Sequence, residues 1–356
     1  MTLLLVLILV PFFISINNSK LINIISLLFG FLLYGFCIHT NDTSIYMNRY
    51  YAWDDSWRIK ITEPLYTWTV ILFRNINFSF QEFFFIIAAV FVICFAFFVN
   101  KLTNKISYVV GLTLISIYPM LITLQRSSYA FSFVFLAFYF LLFSSRKIVK
   151  ITLFTTFIAI SSLIHSMCIM FFLFGLAYFI DFKRIQKYTI ITTIVIIMAI
   201  SIMNTLFHSF FTFINMEEKY KMLSEHADTV KDIVKSTILA LLRVLSVIAL
   251  PIGIKYILTK NYKTQLSTTD NIIFKLNFVG LLFCPLLYIS HDIYRIFYPF
   301  AIMNFCLASH YLTYNYCKWY SLFCCLNIGY WFIYRPCFDH VFIEVYTHNY
   351  IFDFLW

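Results

Sequence analysis

Four cationic or titratable side chains stand out in the apolar runs of this 356-residue chain: Arg126, His165, Arg243 and Arg295. Arg126 is the clearest, since it is the only ionised residue between Ile106 and Phe143. An arginine in such a place either snorkels to lipid phosphates or lines a cavity and binds an anion. Guanidinium suits phosphate oxygens because its planar fork donates in pairs and keeps its charge. Arg126, Arg295 and, deeper in its apolar run, Arg243 are therefore candidates for binding a diphosphate. His165 sits in Leu163-Ile164-His165-Ser166-Met167. A histidine titrates near neutrality, so it is the first candidate for a general base acting on a hydroxyl. Asp42 and Glu63, each near the end of an apolar run, are rival bases. Tyr46, Tyr50 and Trp53 suit stacking on sugar rings. Structural readings stand beside each of these. The arginines could pair with Asp42, Glu63, Asp292 and the acids of 212–235, and the two carboxylates could cap helices. His165 could be a hydrogen-bonded structural residue, and the aromatics could mark a membrane interface.

Other chemistries have no signature. The sequence has no glycine-rich phosphate loop, His-Glu-x-x-His, Cys-x-x-Cys or Gly-x-Ser-x-Gly, so nothing implies ATP, a metal or a serine nucleophile. No cofactor and no metal are expected, nor is a nucleic-acid partner. The nine cysteines show no paired metal spacing, and adjacent Cys324 and Cys325 read as small hydrophobes in an apolar run. Seven glycines are few for a transporter that rocks on Gly-broken helices.

The elements that must position these residues are membrane spans. Hydrophobic residues make up 62% of the chain, charged residues 12%, and mean hydropathy is +0.85. This is the composition of an all-α polytopic integral membrane protein, read as one transmembrane domain over 1–356. The spans are drawn at 2–16, 20–38, 79–99, 106–124, 127–143, 148–164, 166–181, 188–211, 236–258, 271–290, 294–314 and 318–334, about 12 in all. The first reads as a retained span, because it lacks a basic n-region and a small-residue cleavage site. As one helix, 106–143 would be ~57 Å long against a hydrocarbon core of ~30 Å, so it must fold back at Gln125–Ser128. By the same argument 148–181 breaks at Ser162–Ser166. Pro64–Phe73 is too short to span easily and reads as a re-entrant or surface helix. It starts at Glu63-Pro64, with a carboxylate at the positive end of the dipole.

Charge sets the orientation. If the turns near 17–20, 100–105, 144–150, 182–187, 255–275 and 315–318 share a side, that side holds 14 of the 26 basic residues and two of the 16 acids. The basic clusters recur in short turns, such as Ser144-Ser145-Arg146-Lys147, and mark that side as cytoplasmic. The outward side then carries the loop 39–63, the turns at Arg126, His165 and Arg295, the polar loop 212–235 and an amphiphilic tail 335–356. That tail is expected to lie against the membrane surface. Charges near one face, rather than along a path through the bilayer, favour surface chemistry on a lipid-anchored substrate over transport.

Short motifs in this order resemble the EpsG/Wzy-type polysaccharide (O-antigen) polymerases. They are Asp42-x-x-x-Tyr46-x-x-x-Tyr50, Glu63-Pro64-Leu65-Tyr66, Leu124-Gln125-Arg126-Ser127-Ser128-Tyr129-Ala130, the His165-Ser166 pair, and Tyr294-Arg295-Ile296-Phe297-Tyr298-Pro299. The turn here reads Gln-Arg-Ser-Ser-Tyr where many relatives continue Arg-Gln. The resemblance implies a multi-pass protein of the bacterial inner membrane with GT-C-like architecture and a site facing the periplasm. It implies metal-independent glycosyl transfer between undecaprenyl-diphosphate-linked oligosaccharide units, donor and acceptor, as in O-antigen or capsule biosynthesis. Membrane lipids and a chain-length regulator are the further partners. On this reading Arg126, Arg295 and Arg243 bind the diphosphate, and His165, Asp42 or Glu63 is the base. Tyr46, Tyr50 and Trp53 contact glycan. The alternatives are a flippase or exporter of the same lipid-linked units, and an O-antigen ligase-like glycosyltransferase.

Overall fold

The structure is a computed structural model that describes residues 2–15, 19–37, 41–51, 63–198, 266–284, 287, 291–310 and 345–346. Every regular element among them is helical. Contacts group the chain into two compact units, Met1–Ile169 with Phe305–Trp356, and Met170–Asn304.

The first unit holds α1 (Thr2–Ser15), α2 (Lys20–Gly35), α3 (Asn41–Tyr51), α4 (Pro64–Asn75), α5 (Phe80–Leu102), α6 (Ile106–Ser116), α7 (Tyr118–Thr123), α8 (Gln125–Phe143) and α9 (Lys147–Ile164). Among the described residues three helices are long and apolar enough to cross a membrane: α5, α8 and α9. Helix α5 begins with a reciprocal capping box. The Ser79 hydroxyl accepts from the Glu82 N–H, and the Glu82 carboxylate takes the Ser79 N–H at 2.7 Å. Helices α8 and α9 form an antiparallel hairpin, with α5 packed on α8. Phe135 of α8 stacks on Phe98 at 5.5 Å between ring centroids and also meets Phe91 and Phe95. Deeper along the hairpin, the Ser161 hydroxyl donates to the Ala130 carbonyl at 2.9 Å. The polar α3 packs on α5 and α7, and the short α4 packs on α9.

The basic ends of these helices gather away from Arg126. Lys101 at the end of α5 lies over the Phe143 ring at the end of α8, 5.8 Å from its centroid. Arg146 and Lys147 follow at the start of α9. Asn23, near the start of α2, donates to the Asn104 carbonyl at 3.2 Å and accepts from the Ser107 N–H at 2.8 Å. Lys20 and Lys105 therefore share that end. Arg126 and His165 stand at the other end, ~26 Å away along α8 by helical rise. This separation matches the charge asymmetry read from the sequence.

The expected span 106–124 is two helices. Pro119 supplies no N–H to the Ile115 carbonyl, and the chain breaks at Ile117 before α7 begins. A helix end leaves carbonyls without in-helix donors. One of these, on Leu114, accepts from the hydroxyl of Tyr346. Val345 and Tyr346 are fully buried in the first unit. At these two residues the C-terminal segment is therefore core, not a strip lying on the surface, because its tyrosine finds a backbone partner inside. Gly111 allows α1 to approach α6, since a Cβ there would meet the Val10 carbonyl at 3.4 Å and Ile14 at 2.9 Å.

The 3-10 helix Ser166–Phe171 begins in the first unit and ends in the second, which then contains α10 (Phe172–Phe179), α11 (Phe182–Met198), α12 (Thr268–Gly280) and the 3-10 helix His291–Ile296. Helix α13 (Phe297–His310) begins here and ends in the first unit. Helix α11 starts earlier than the expected 188, and α12 ends at Gly280 rather than running to 290. The expected spans 236–258 and 318–334, the loop 212–235, Cys324 and Cys325, and all of the tail except Val345 and Tyr346 lie outside the described residues.

In the apolar interior of the second unit, Asn277 and Asn304 exchange amide hydrogen bonds of 2.7 and 2.8 Å. Asn277 is fully buried and Asn304 is 1% exposed. Removing one partner leaves the other amide unsatisfied, which costs about 1–3 kcal/mol. Asn277→Leu should therefore lower the thermal midpoint of the detergent-solubilised protein. The double variant Asn277→Leu/Asn304→Leu should recover part of that loss; a double variant less stable than either single one would contradict this.

Candidate active site

The site is built where three chain segments meet in the first unit: the start of α4, the start of α8 and the end of α9. Glu63 precedes Pro64, the first residue of α4, which lacks an N–H that would otherwise go unbonded. Glu63 occupies the N-cap position, yet its side chain makes no capping bond. Its carboxylate turns instead to two other segments. Oε2 accepts from Arg126 Nη1 at 2.5 Å, and Oε1 lies 2.7 Å from His165 Nδ1. The Ser166 N–H and hydroxyl both donate to Oε1 at 3.3 Å. Glu63 is 4% exposed and His165 is 5% exposed, while the Arg126 side chain keeps 27% of its surface accessible. One buried carboxylate thus joins a histidine on its dry side to an arginine that reaches outward.

Local sequence explains the placement. Arg126 is the second residue of α8, in the first turn, where backbone N–H groups have no in-helix acceptor. His165 is the C-cap of α9, with extended backbone at φ −143° and ψ 109°. The carboxylate at Nδ1 sets the ring's tautomer. With a proton on Nδ1 donated to Glu63, Nε2 is the basic nitrogen of the neutral ring.

Helix α3 supplies the next layer. The Tyr46 hydroxyl accepts from Arg126 Nε at 3.3 Å, and Arg126 Cζ lies 5.4 Å from the Tyr46 ring centroid. Tyr46 in turn meets Tyr66 of α4 edge-on at 6.4 Å. Of the five guanidinium donors of Arg126, these bonds engage one on Nε and one on Nη1. Three N–H groups remain beyond those two bonds. Arg49, half-buried one turn past Tyr46, lies in the field of the same group. Burial, and next the Arg126 guanidinium, hold Arg49 below its ordinary pKa; Tyr46, Tyr66 and Glu63 act in the opposite sense.

Of the candidates read from sequence, Glu63, Arg126, His165 and Tyr46 come together. Tyr50 is 2% exposed, stacks on Phe83 at 5.3 Å and donates to the Phe78 carbonyl at 2.8 Å, so it belongs to the packing of α3 on α5. Asp42 is the second residue of α3, one turn before Tyr46, and its side chain is not among those described. Arg295 is half-buried in the 3-10 helix His291–Ile296 of the second unit. Arg243 and Trp53 lie outside the described residues. Sequence reasoning passed over Ser166 and Arg49. The available signal was the helical spacing of Asp42, Tyr46 and Arg49, which puts all three on one face of α3.

A family model described as the EpsG family matches residues 20–351. The chain belongs to the EpsG family. No curated protein and no solved structure matches the chain. Membership of the EpsG family, with the apolar helices, makes this a membrane protein of polysaccharide biosynthesis with a polymerase-type, glycosyltransferase-like function. Among the described residues of that match, the Glu63–Arg126–His165 cluster brings ionisable side chains from three chain segments together.

Charged partners buried this far couple strongly. A double-mutant cycle between Glu63→Gln and Arg126→Gln, read by thermal or denaturant unfolding in detergent, should give a coupling energy on the order of 1–3 kcal/mol. Strict additivity of the two single losses would contradict the pairing.

Proposed function

We propose that this protein is an O-antigen or capsule-type polysaccharide polymerase. It moves a glycan from undecaprenyl diphosphate to the non-reducing end of a second lipid-linked repeat unit, at the outer face of the bacterial inner membrane. The observation that carries this reading is the Glu63 carboxylate, shared between His165 Nδ1 at 2.7 Å and Arg126 Nη1 at 2.5 Å. A base and an anion-binding group are thereby held together at one end of a membrane hairpin.

The chemistry follows from the pieces. A hydroxyl of the acceptor sugar attacks the anomeric carbon of the donor, and the bond to the diphosphate oxygen breaks. His165 Nε2 takes the hydroxyl proton, while Glu63 fixes the ring and stabilises the imidazolium that forms. The three remaining donors of Arg126 meet the negative charge that grows on the departing diphosphate. Arg295 and Arg243 are the further arginines assigned to that group. Tyr46 offers a ring beside the site for the glycan, and Trp53 is the further aromatic that the sequence offers for that contact. Asp42, one turn from Tyr46 on α3, is the alternative base. The site's opening to the periplasm rests on the basic turns at the opposite end of the hairpin.

A flippase or exporter of the same units would need arginines but no base. The test is therefore the length distribution of surface glycan in a deletion strain complemented with variants. Arg126→Ala and Arg295→Ala should abolish polymer while the protein still inserts, leaving single repeat units on the outer leaflet. His165→Ala should lower the polymerisation rate by about 10²-fold or more, the usual contribution of a positioned base. Normal long-chain polymer in these variants, or lipid-linked units accumulating on the inner leaflet, would overturn the reading.

A further inference from the structure

We propose that a half-open apolar groove between α2, α5 and the α6–α7 break binds the isoprenoid chain of the lipid-linked substrate while the Arg126 site holds its diphosphate. This deepens the proposed function and rests on it.

The groove has an empty volume of about 250 Å³, part of it open to the surroundings. Leu27 of α2 and Val92 of α5 line it half-buried, and Phe91, Phe95 and Val110 line it fully buried. Gly30 has no side chain to fill the space, and a Cβ there would meet the Tyr118 hydroxyl at 3.2 Å. Three hydroxyls line the groove, and each already donates to a backbone carbonyl. Ser26 donates to Asn23 at 2.9 Å, Thr113 to Val109 at 2.7 Å, and Tyr118 to Gly30. A hydrocarbon chain therefore strands no polar group there. A sugar or a phosphate would find no free side-chain donor and would lose its water without compensation.

Depth selects the kind of apolar ligand. Phe91 and Phe95 also pack on Phe135 of α8, at 6.0 and 6.1 Å between ring centroids. Phe135 lies nine residues along α8 from Arg126, ~14 Å at helical rise. The groove is thus near the middle of a hydrocarbon core ~30 Å thick. Leu28 and Ile93, the chain neighbours of Leu27 and Val92, are exposed, so the surface beside it is apolar. Tyr118 carries the wall back toward the site. Its ring meets Tyr34 edge-on at 6.3 Å, and it stands eight residues before Arg126. A ligand that reaches both places has an anionic head at the membrane face and a long hydrocarbon chain running inward. That is the form of a polyprenyl diphosphate. The competing occupant is the acyl chain of a membrane phospholipid, which would fill the groove without regard to Arg126.

The test is a binding titration of the full-length protein in dioleoylphosphatidylcholine nanodiscs, with undecaprenyl diphosphate and, separately, inorganic pyrophosphate. Val92→Trp fills the groove and should cost about 10-fold in affinity for the lipid, equivalent to lost contact with about two methylene groups. Ile93→Trp, the same change one position away on exposed surface, should shift that affinity by less than about threefold. Both variants should bind inorganic pyrophosphate as the wild-type protein does. If Val92→Trp fails to insert, Leu27→Trp on the facing helix is read by the same comparison. Unchanged lipid affinity in the groove-filling variant, an equal loss for pyrophosphate, or an equal loss in Ile93→Trp overturns the groove's role and leaves the proposed function standing. So does a phospholipid that mass spectrometry finds on the wild-type protein, absent from Val92→Trp and not displaced by undecaprenyl diphosphate. A wild-type protein that does not bind undecaprenyl diphosphate overturns both.

Discussion

The Glu63 carboxylate is the contact on which the candidate site of the first unit depends. It belongs to the segment before α4, yet its bonds go to the start of α8 and the end of α9. Those segments are separated in sequence by 63 and 102 residues. A buried ion pair is a weak source of net stability, because desolvating both charges offsets most of their attraction. Losing one member is costly, because the other stays buried and unpaired. Such a cluster is therefore better understood as fixing geometry. It sets the tautomer of His165, the reach of Arg126 and the entry of α4 at one point.

The membrane hairpin makes this possible. Helices α8 and α9 pack antiparallel, so the start of one and the end of the other fall at the same level. The aromatic packing of α5 on α8 and the Ser161–Ala130 hydrogen bond hold the hairpin in register. Lysines and arginines collect at its far end, where Lys101 covers Phe143. The Glu63–Arg126–His165 cluster thus lies at one end of the hairpin and the basic side chains at the other, with apolar helix between.

Within the EpsG family this arrangement gives a physical account of how glycosyl transfer could proceed from a lipid-anchored donor. His165 and Arg126 share one carboxylate, so under the proposed mechanism the base and the cation that meets leaving-group charge are positioned by the same atoms. Tyr46 links the site to α3, a polar helix of 11 residues packed against the apolar α5 and α7.

Composition and charge were enough to read an all-helical membrane protein, because a bilayer leaves few ways to satisfy backbone polar groups. They also placed the turn at Arg126 and the break at His165, since each apolar run was too long for one span. The short motifs were enough to point to the family. What the sequence could not decide was which charge meets which. Glu63 could have capped α4, and Arg126 could have reached for lipid phosphates. Only the packing of α4 on α9 and the α8–α9 hairpin brings that carboxylate to both Arg126 and His165. The same holds for Tyr50, whose motif position suggested glycan contact but whose ring the tertiary structure buries against Phe83. Side-chain partnership across distant segments depends on helix packing, and local spacing carries no record of it. Helix α3 is the exception, where the spacing of Tyr46 and Arg49 is local and could be read from the sequence itself.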